Sequence, residues 1–164
     1  MAMDSFQKIG LGGGCHWCTE AVFQSLKGVS RVEQGYIRST DENNYFSEAV
    51  IVHYNPKIIS TRDLIEIHLY THKSTSNHSF RKKYRSAIYY FSLSEKQPIK
   101  NILDSLQLLF ESPLITEVLA FDEFKPSRDE LHNYYLENPK KPFCKRYIDP
   151  KLDLLRKKYS TNVK

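Results

Sequence analysis

The sequence predicts an α+β fold, a two-layer split β-α-β (ferredoxin-like) core with a mainly antiparallel sheet, plus C-terminal extensions. Three observations predict it. Hydrophobic segments between residues 6 and 91 follow the order strand, helix, strand, strand, helix, strand, and that order packs both helices on one face of a sheet. The 164 residues, 40% hydrophobic and 13% aromatic, suffice for one core and require no second domain. A glycine cluster, Gly12 to Gly14, marks the first change from strand to helix.

Each element has its own signal. Phe6, Ile9 and Leu11 make residues 6–11 a strand, and Ala21, Val22, Phe23 and Leu26 recur at helical spacing over 15–26, closed by Lys27-Gly28. Val29 to Tyr36, with Val29 and Val32, reads as a second strand. The polar run Ser39 to Asn44 is a loop. Glu48 to Tyr54 is a third strand, stopped by Asn55-Pro56. Ser60 is placed to cap a helix lined by Leu64, Ile65, Ile67, His68 and Leu69. A polar, basic loop from His72 to Lys83 leads into the strand Ser86 to Phe91. Ser94-Glu95 then opens a helix carrying Ile99, Ile102, Leu103, Leu106 and Leu109, and Ile115 to Ala120 adds an edge strand. Ser127 to Leu136 reads as a short helix bearing His132. Pro142 and Pro150 interrupt regular structure until Leu152, Leu154 and Leu155 anchor a last basic helix. Residues 1–139 are expected to form a single α+β domain, with the basic segment 140–164 packing on it.

Cys15 sits where the first strand turns into the first helix. Unpaired N–H groups and the positive end of the helix dipole stabilise an anion there, so a cysteine can lose its proton near neutral pH. The glycines leave room for another molecule to approach the sulfur. These features describe an accessible thiolate; a turn followed by a small buried cysteine is the plainer alternative.

Composition narrows the classes. No apolar run approaches a membrane span, and the N-terminus lacks the basic-then-apolar pattern of a secretory signal, so a cytoplasmic protein, expected to be a monomer, is the default. The net charge of +5 is local: residues 140–164 hold nine Lys/Arg against two Asp. Such a tail can touch phosphates, but a solvated helix face with a frayed end explains it more simply and nucleic acid is not the expected partner. Three cysteines, Cys15, Cys18 and Cys144, cannot all pair within one chain, which points to redox-active thiols over a structural disulfide framework.

The stretch Gly14-Cys15-His16-Trp17-Cys18-Thr19-Glu20 resembles the Gly-Cys-Phe-Trp-x-x-Glu signature of the A-type peptide methionine sulfoxide reductases (the MsrA family), with histidine in place of phenylalanine. Matches continue in the family's order: Lys27-Gly28-Val29, Gly35-Tyr36, Glu48-Ala49-Val50, Tyr84 to Tyr89, His132, Tyr135-Leu136 and Asn138-Pro139. The resemblance runs from Ile9 to Lys158 and identifies a divergent member.

What it implies is a thiol reduction of methionine S-sulfoxide, free or in proteins. A thiolate attacks the sulfoxide sulfur while an acid protonates the departing oxygen. Cys15 would be the nucleophile and Glu48 the acid; Tyr84 would hold the oxygen through its hydroxyl. Trp17 would form the wall for the substrate methyl group. His16, smaller and more polar than phenylalanine, would either weaken that pocket, favour the Cys15 thiolate if protonated, or serve as a flat spacer. A second family tyrosine lies in the loop before Glu48, which is shorter here; Tyr45 is the candidate replacement. His132 joins the substrate-binding set. The 72–83 loop departs further: the family's His-Asp-Pro is His72-Lys73-Ser74, and Ser79 stands where an acidic residue helps organise the site.

The resulting sulfenic acid would be resolved by a second thiol. Cys144, in an aromatic-Cys segment followed by Ile148-Asp149-Pro150-Lys151, is the first candidate, and Cys18, in a Cys-x-x-Cys pair with Cys15, the second. The resemblance implies no bound cofactor, with thioredoxin or another dithiol as reductant. A redox sensor using Cys15 and Cys144, or a module that binds oxidised methionine, is the alternative; retention of Glu48 and Tyr84 argues against pure sensing. A zinc site on Cys15 and Cys18 lacks a second Cys-x-x-Cys or a suitably spaced histidine pair.

Overall fold

The computed structural model describes residues 7–13, 16–72, 74–76, 84–127 and 148–164, without the side chains of residues 16 and 17. Its elements are β1 (Gln7–Gly12), α1 (His16–Gln24), β2 (Val29–Arg38), β3 (Ser47–Tyr54), α2 (Thr61–Tyr70), β4 (Ala87–Tyr90), α3 (Lys96–Leu106), β5 (Glu117–Ala120), β6 (Glu123–Pro126) and α4 (Asp149–Lys158). The strands form one mixed six-stranded sheet in the order β5-β4-β1-β3-β2-β6. Neighbours pair antiparallel except β4 with β5. Among the described residues no helix is long and apolar enough to cross a membrane.

The helices cover one face. Ile9, Leu11, Val50, Val52 and Ile88 share that face by register and pack against Val22 and Phe23 of α1, Leu64 and Ile67 of α2, and Leu152 and Leu155 of α4. Full burial of a side chain such as Phe23 stabilises by about 2–3 kcal/mol. Local signals hold the helix starts. Ser60 Oγ accepts from the Asp63 N–H at 3.0 Å at the head of α2, and Ser92 and Glu95 form a capping box ahead of α3.

The sheet is curled. β5 and β6 lie at opposite edges, yet only Phe121 and Asp122 join them. Six flat strands would put the edges about 24 Å apart, whereas three Cα–Cα steps reach about 11 Å. The inner face of the curl has the residues such bending needs. Gly10, Gly12, Gly35, Ala49 and Ala87 all fall on it by register. A Cβ on Gly10 would lie 2.8 Å from the Tyr89 Cβ and 3.0 Å from the Ile37 Cδ1; one on Gly35 would lie 2.3 Å from the Lys125 carbonyl. Removing side chains lets strands two places apart fold toward each other.

Several expectations are corrected. β6 carries no strand signal of its own: Pro126 and two charged residues in four mask it, and only pairing with β2 makes it a strand. Leu109 is 51% exposed, because α3 ends at Leu106 and a 3₁₀ turn rotates the chain away from the core. Pro150 does not delay α4 but sits in its first turn, where a missing N–H costs nothing. Residues 148–164 are not frayed. Leu26 bridges Val163, Lys27 N–H donates to the Asn162 carbonyl at 2.7 Å, and Tyr159 donates to Glu66 at 2.6 Å.

Candidate active site

The end of β1 is where the site is assembled. A Cβ on Gly12 would lie 2.9 Å from the Arg85 carbonyl and 3.2 Å from the Glu48 carbonyl. Only a glycine lets the ends of β3 and β4 close around β1 this tightly. Glu48 and the stretch Tyr84-Arg85 are therefore brought together at the end of β1, three residues ahead of Cys15 in the chain. Cys15 itself lies outside the described residues. α1 begins at the next residue, His16, followed by Trp17, so the N-terminal, positive end of its dipole lies close in sequence to this end of the sheet.

Glu48 is buried, 6% exposed, on the same face as Val50 and Val52 and hence on the α1 side. Directly opposite it in the β2–β3 pairing stands Tyr36, half-buried. Opposed side chains on one face have Cβ atoms about 5 Å apart, so the phenol and the carboxyl group are neighbours. The sequence reading used Gly35-Tyr36 only as a family match; the signal that finds Tyr36 is the alternation of both strands about their hairpin. Tyr84, half-buried, lies two residues before Ser86 of the β1-flanking strand end.

Tyr45 has a different setting. Its ring lies 4.6 Å from the guanidinium of Arg85 on the inner side of the curl. Arg85 is buried and spends its donors on Tyr89 Oη at 3.0 Å, the Asn43 carbonyl at 3.3 Å and the Ile37 carbonyl at 3.1 Å. Burial pushes the Tyr89 phenol up to about 12, with Arg85 pulling the other way. Arg85 thus ties the Tyr45 loop to β2 and β4, and its N–H donates to Ser47 Oγ at 2.7 Å beside Glu48.

Cys18 is 4% exposed and part of the main core. Glu20, the last residue of the signature, is 1% exposed and accepts from Gln34 Nε2 at 2.9 Å; Ser127 donates to Gln34 Oε1 at 2.9 Å. This buried relay, absent from the sequence reading, locks α1 to β2 and to the end of β6. A cavity of about 720 Å³ lined by Glu20, Gln34, Phe124 and Pro126 adjoins it, away from Gly12. Cys144, His132 and residues 77–83 lie outside the described residues.

A family model described as peptide methionine sulfoxide reductase matches residues 7–163. The peptide methionine sulfoxide reductase MsrA of Chromobacterium violaceum is 32% identical over 170 residues, covering 94% of this chain and 97% of its own. That of Deinococcus radiodurans is 34% identical over 168 residues, covering 93% and 82%. Among solved structures, Mxr1 from Saccharomyces cerevisiae in reduced form superposes with a TM-score of 0.74 at 22% identity, over 85% of this chain and 89% of that one. Mxr1 in complex with Trx2 gives 0.63 at 21% identity, over 80% and 89%. These two likenesses bear on the fold.

Proposed function

The chain belongs to the peptide methionine sulfoxide reductase family, and on that premise we propose that it reduces methionine S-sulfoxide, free or in proteins, with Cys15 as nucleophile. The observation that carries this reading is the close approach of the Glu48 and Arg85 carbonyls to Gly12, which brings Glu48 and the residue after Tyr84 to the end of β1, three residues before Cys15. The Cys15 thiolate attacks the sulfoxide sulfur, Glu48 gives its proton to the oxygen, and Tyr84 donates a hydrogen bond to it. Tyr36 supports the Glu48 carboxyl group from the adjacent strand. Trp17 and His16 wall the substrate methyl group, with Tyr45 and His132 completing the binding set. Methionine departs with the sulfur reduced, and Cys15 keeps the oxygen as a sulfenic acid.

A second thiol then attacks that sulfur, releasing water and forming a disulfide. The burial of Cys18 in the core supports Cys144 in this role, with Cys18 as the alternative. Thioredoxin, or another dithiol, supplies two electrons to restore both thiols; the Mxr1–Trx2 complex supports the pairing. The order β4-β1-β3-β2 at the centre of the sheet, each crossover spanning one antiparallel strand, supports a split β-α-β core. We read residues 1–139 as the catalytic domain with 140–164 packed on it, and place the protein in the cytoplasm on its cysteine usage.

The test is turnover of each separate sulfoxide epimer with a dithiol reductant, using the intact chain and Cys15→Ser. Reduction of the S epimer alone, abolished by the substitution, is the expected result. Failure with both epimers, while peroxide still converts Cys15 to a sulfenic acid, would leave thiol sensing as the function.

A further inference from the structure

The last turn of α2 and the residues just past it carry two imidazoles that the reaction above does not use. His68 is 2% exposed, and its Nε2–H donates to the Gly12 carbonyl at 2.8 Å. His72, one turn further on, donates from Nδ1 to the His68 carbonyl at 2.5 Å. Its Nε2 lies 2.8 Å from Ser86 Oγ, itself 2.8 Å from Thr116 Oγ1. A carbonyl can only accept, so the ring nitrogens that meet carbonyls carry the protons, and Nε2 of a neutral His72 accepts from Ser86. The two rings are in contact, centroids 4.2 Å apart and planes tilted by 32°.

The His72 ring also occupies the space beside Gly13. A Cβ there would come within 2.5 Å of Cδ2 and 2.6 Å of Nε2, at a φ of +151°. Gly12 is thus held by a hydrogen bond, and Gly13 by a ring whose own nitrogens are both committed. The turn that carries these rings is secured in its turn: Thr71 Oγ1 donates to the Ile67 carbonyl at 2.7 Å, and Lys151 Nζ donates to the Thr71 carbonyl. A cation at that helix end is favoured by the dipole, which gives the Ile148-Asp149-Pro150-Lys151 motif a physical role.

A run of three glycines has more backbone freedom to lose than any other tripeptide. Left unsupported, it would present the following cysteine in many orientations. We propose that His68 and His72 are positioning residues for Cys15, fixing the Gly12–Gly13 turn so that the sulfur is offered in one geometry. This rests on the reading of Cys15 as nucleophile.

The experiment compares the full-length wild type with His72→Ala and His72→Gln, the glutamine offering its Oε1 to Ser86 near the place of Nε2. Three quantities are read: the rate of Cys15 alkylation by iodoacetamide, followed by mass spectrometry; kcat and KM for methionine sulfoxide with dithiothreitol; and the melting temperature. The alanine variant is expected to lose about 10–100-fold in alkylation rate and kcat, as a misplacement near 1 Å does, with KM within about twofold. The glutamine variant is expected to regain most of the alkylation rate. Wild-type alkylation and kcat in His72→Ala would overturn the proposal, as would a loss that tracks only the unfolded fraction. If the wild type reduces neither epimer while the alkylation contrast persists, the sulfoxide reading fails and the positioning role stands.

Discussion

The two faces of the curled sheet are made from alternate residues of the same strands, yet they are filled in opposite ways. On the helix-covered face Leu11, Val50, Val52 and Ile88 bury large apolar side chains against α1 and α2. On the inner face Gly10, Gly35, Ala49 and Ala87 give up volume so that Ile37, Ile51 and Tyr89 can meet across the bend. The first face gains its stability from area removed from water; the second depends on close approach and on a satisfied polar centre, Arg85 with Tyr89. The site draws on both. Glu48 and Tyr36 stand on the helix side, while the curl that brings β3 and β4 around Gly12 is set from the inner side.

The largest effect expected from this contrast is on folding. Gly35→Val places branched carbon against the Lys125 carbonyl, 2.3 Å from the ideal Cβ. It should detach β6 and cost more than the roughly 1–3 kcal/mol of ordinary overpacking; urea unfolding with and without the change reads this directly, and an unchanged midpoint would mean that the curl does not depend on glycine. Next comes the opposite face. Glu48→Gln should lower kcat by about 10²–10⁴-fold with little change in melting temperature, separating chemistry from stability; a large loss of stability with kcat retained would reverse the roles assigned to the two faces.

The third is a pH dependence seated on the inner face. The Tyr89 phenol is raised from 10 to about 12, chiefly by burial. The folded state therefore holds that proton more tightly than the unfolded chain does. Its contribution is complete below pH 10 and is lost as pH rises through about 12, roughly 2–3 kcal/mol by the size of the shift. Tyr159, raised by burial and by Glu66, shifts the same way. Stability measured from pH 9 to 12 should fall less steeply in Tyr89→Phe than in the wild type, and equal slopes would remove Tyr89 from the account. The smallest effect is expected from Tyr36→Phe, about tenfold in kcat, the value of one hydrogen bond to the acid; no change in kcat would leave Tyr36 as packing alone.

The fold was legible where each residue's own pattern decides. Ile9 with Leu11, Ser60 ahead of Leu64, and the cluster Gly12 to Gly14 before Ala21 and Val22 announce their elements without reference to distant chain. β6 did not, since Glu123, Lys125 and Pro126 form a strand only because β2 offers them partners. The site divides in the same way. Glu48 and Tyr84 were reached through motif resemblance, whereas Tyr36, Glu20 with Gln34, and the His68–His72 pair acquire a role only through their cross-strand or cross-element neighbours.

By itself, then, the sequence determined an α+β chain, a cysteine placed between strand and helix, and membership of a thiol reductase family, because periodicity, capping and short motifs are local properties. Tertiary structure alone decided that the sheet curls, that Pro150 opens a helix, and that the tail is tied down. It also set His68 of α2 and His72 just beyond it behind the glycine turn. Each of these depends on which surfaces meet after folding: a glycine matters through the atom that would occupy its missing side chain, and a buried donor through the carbonyl it finds.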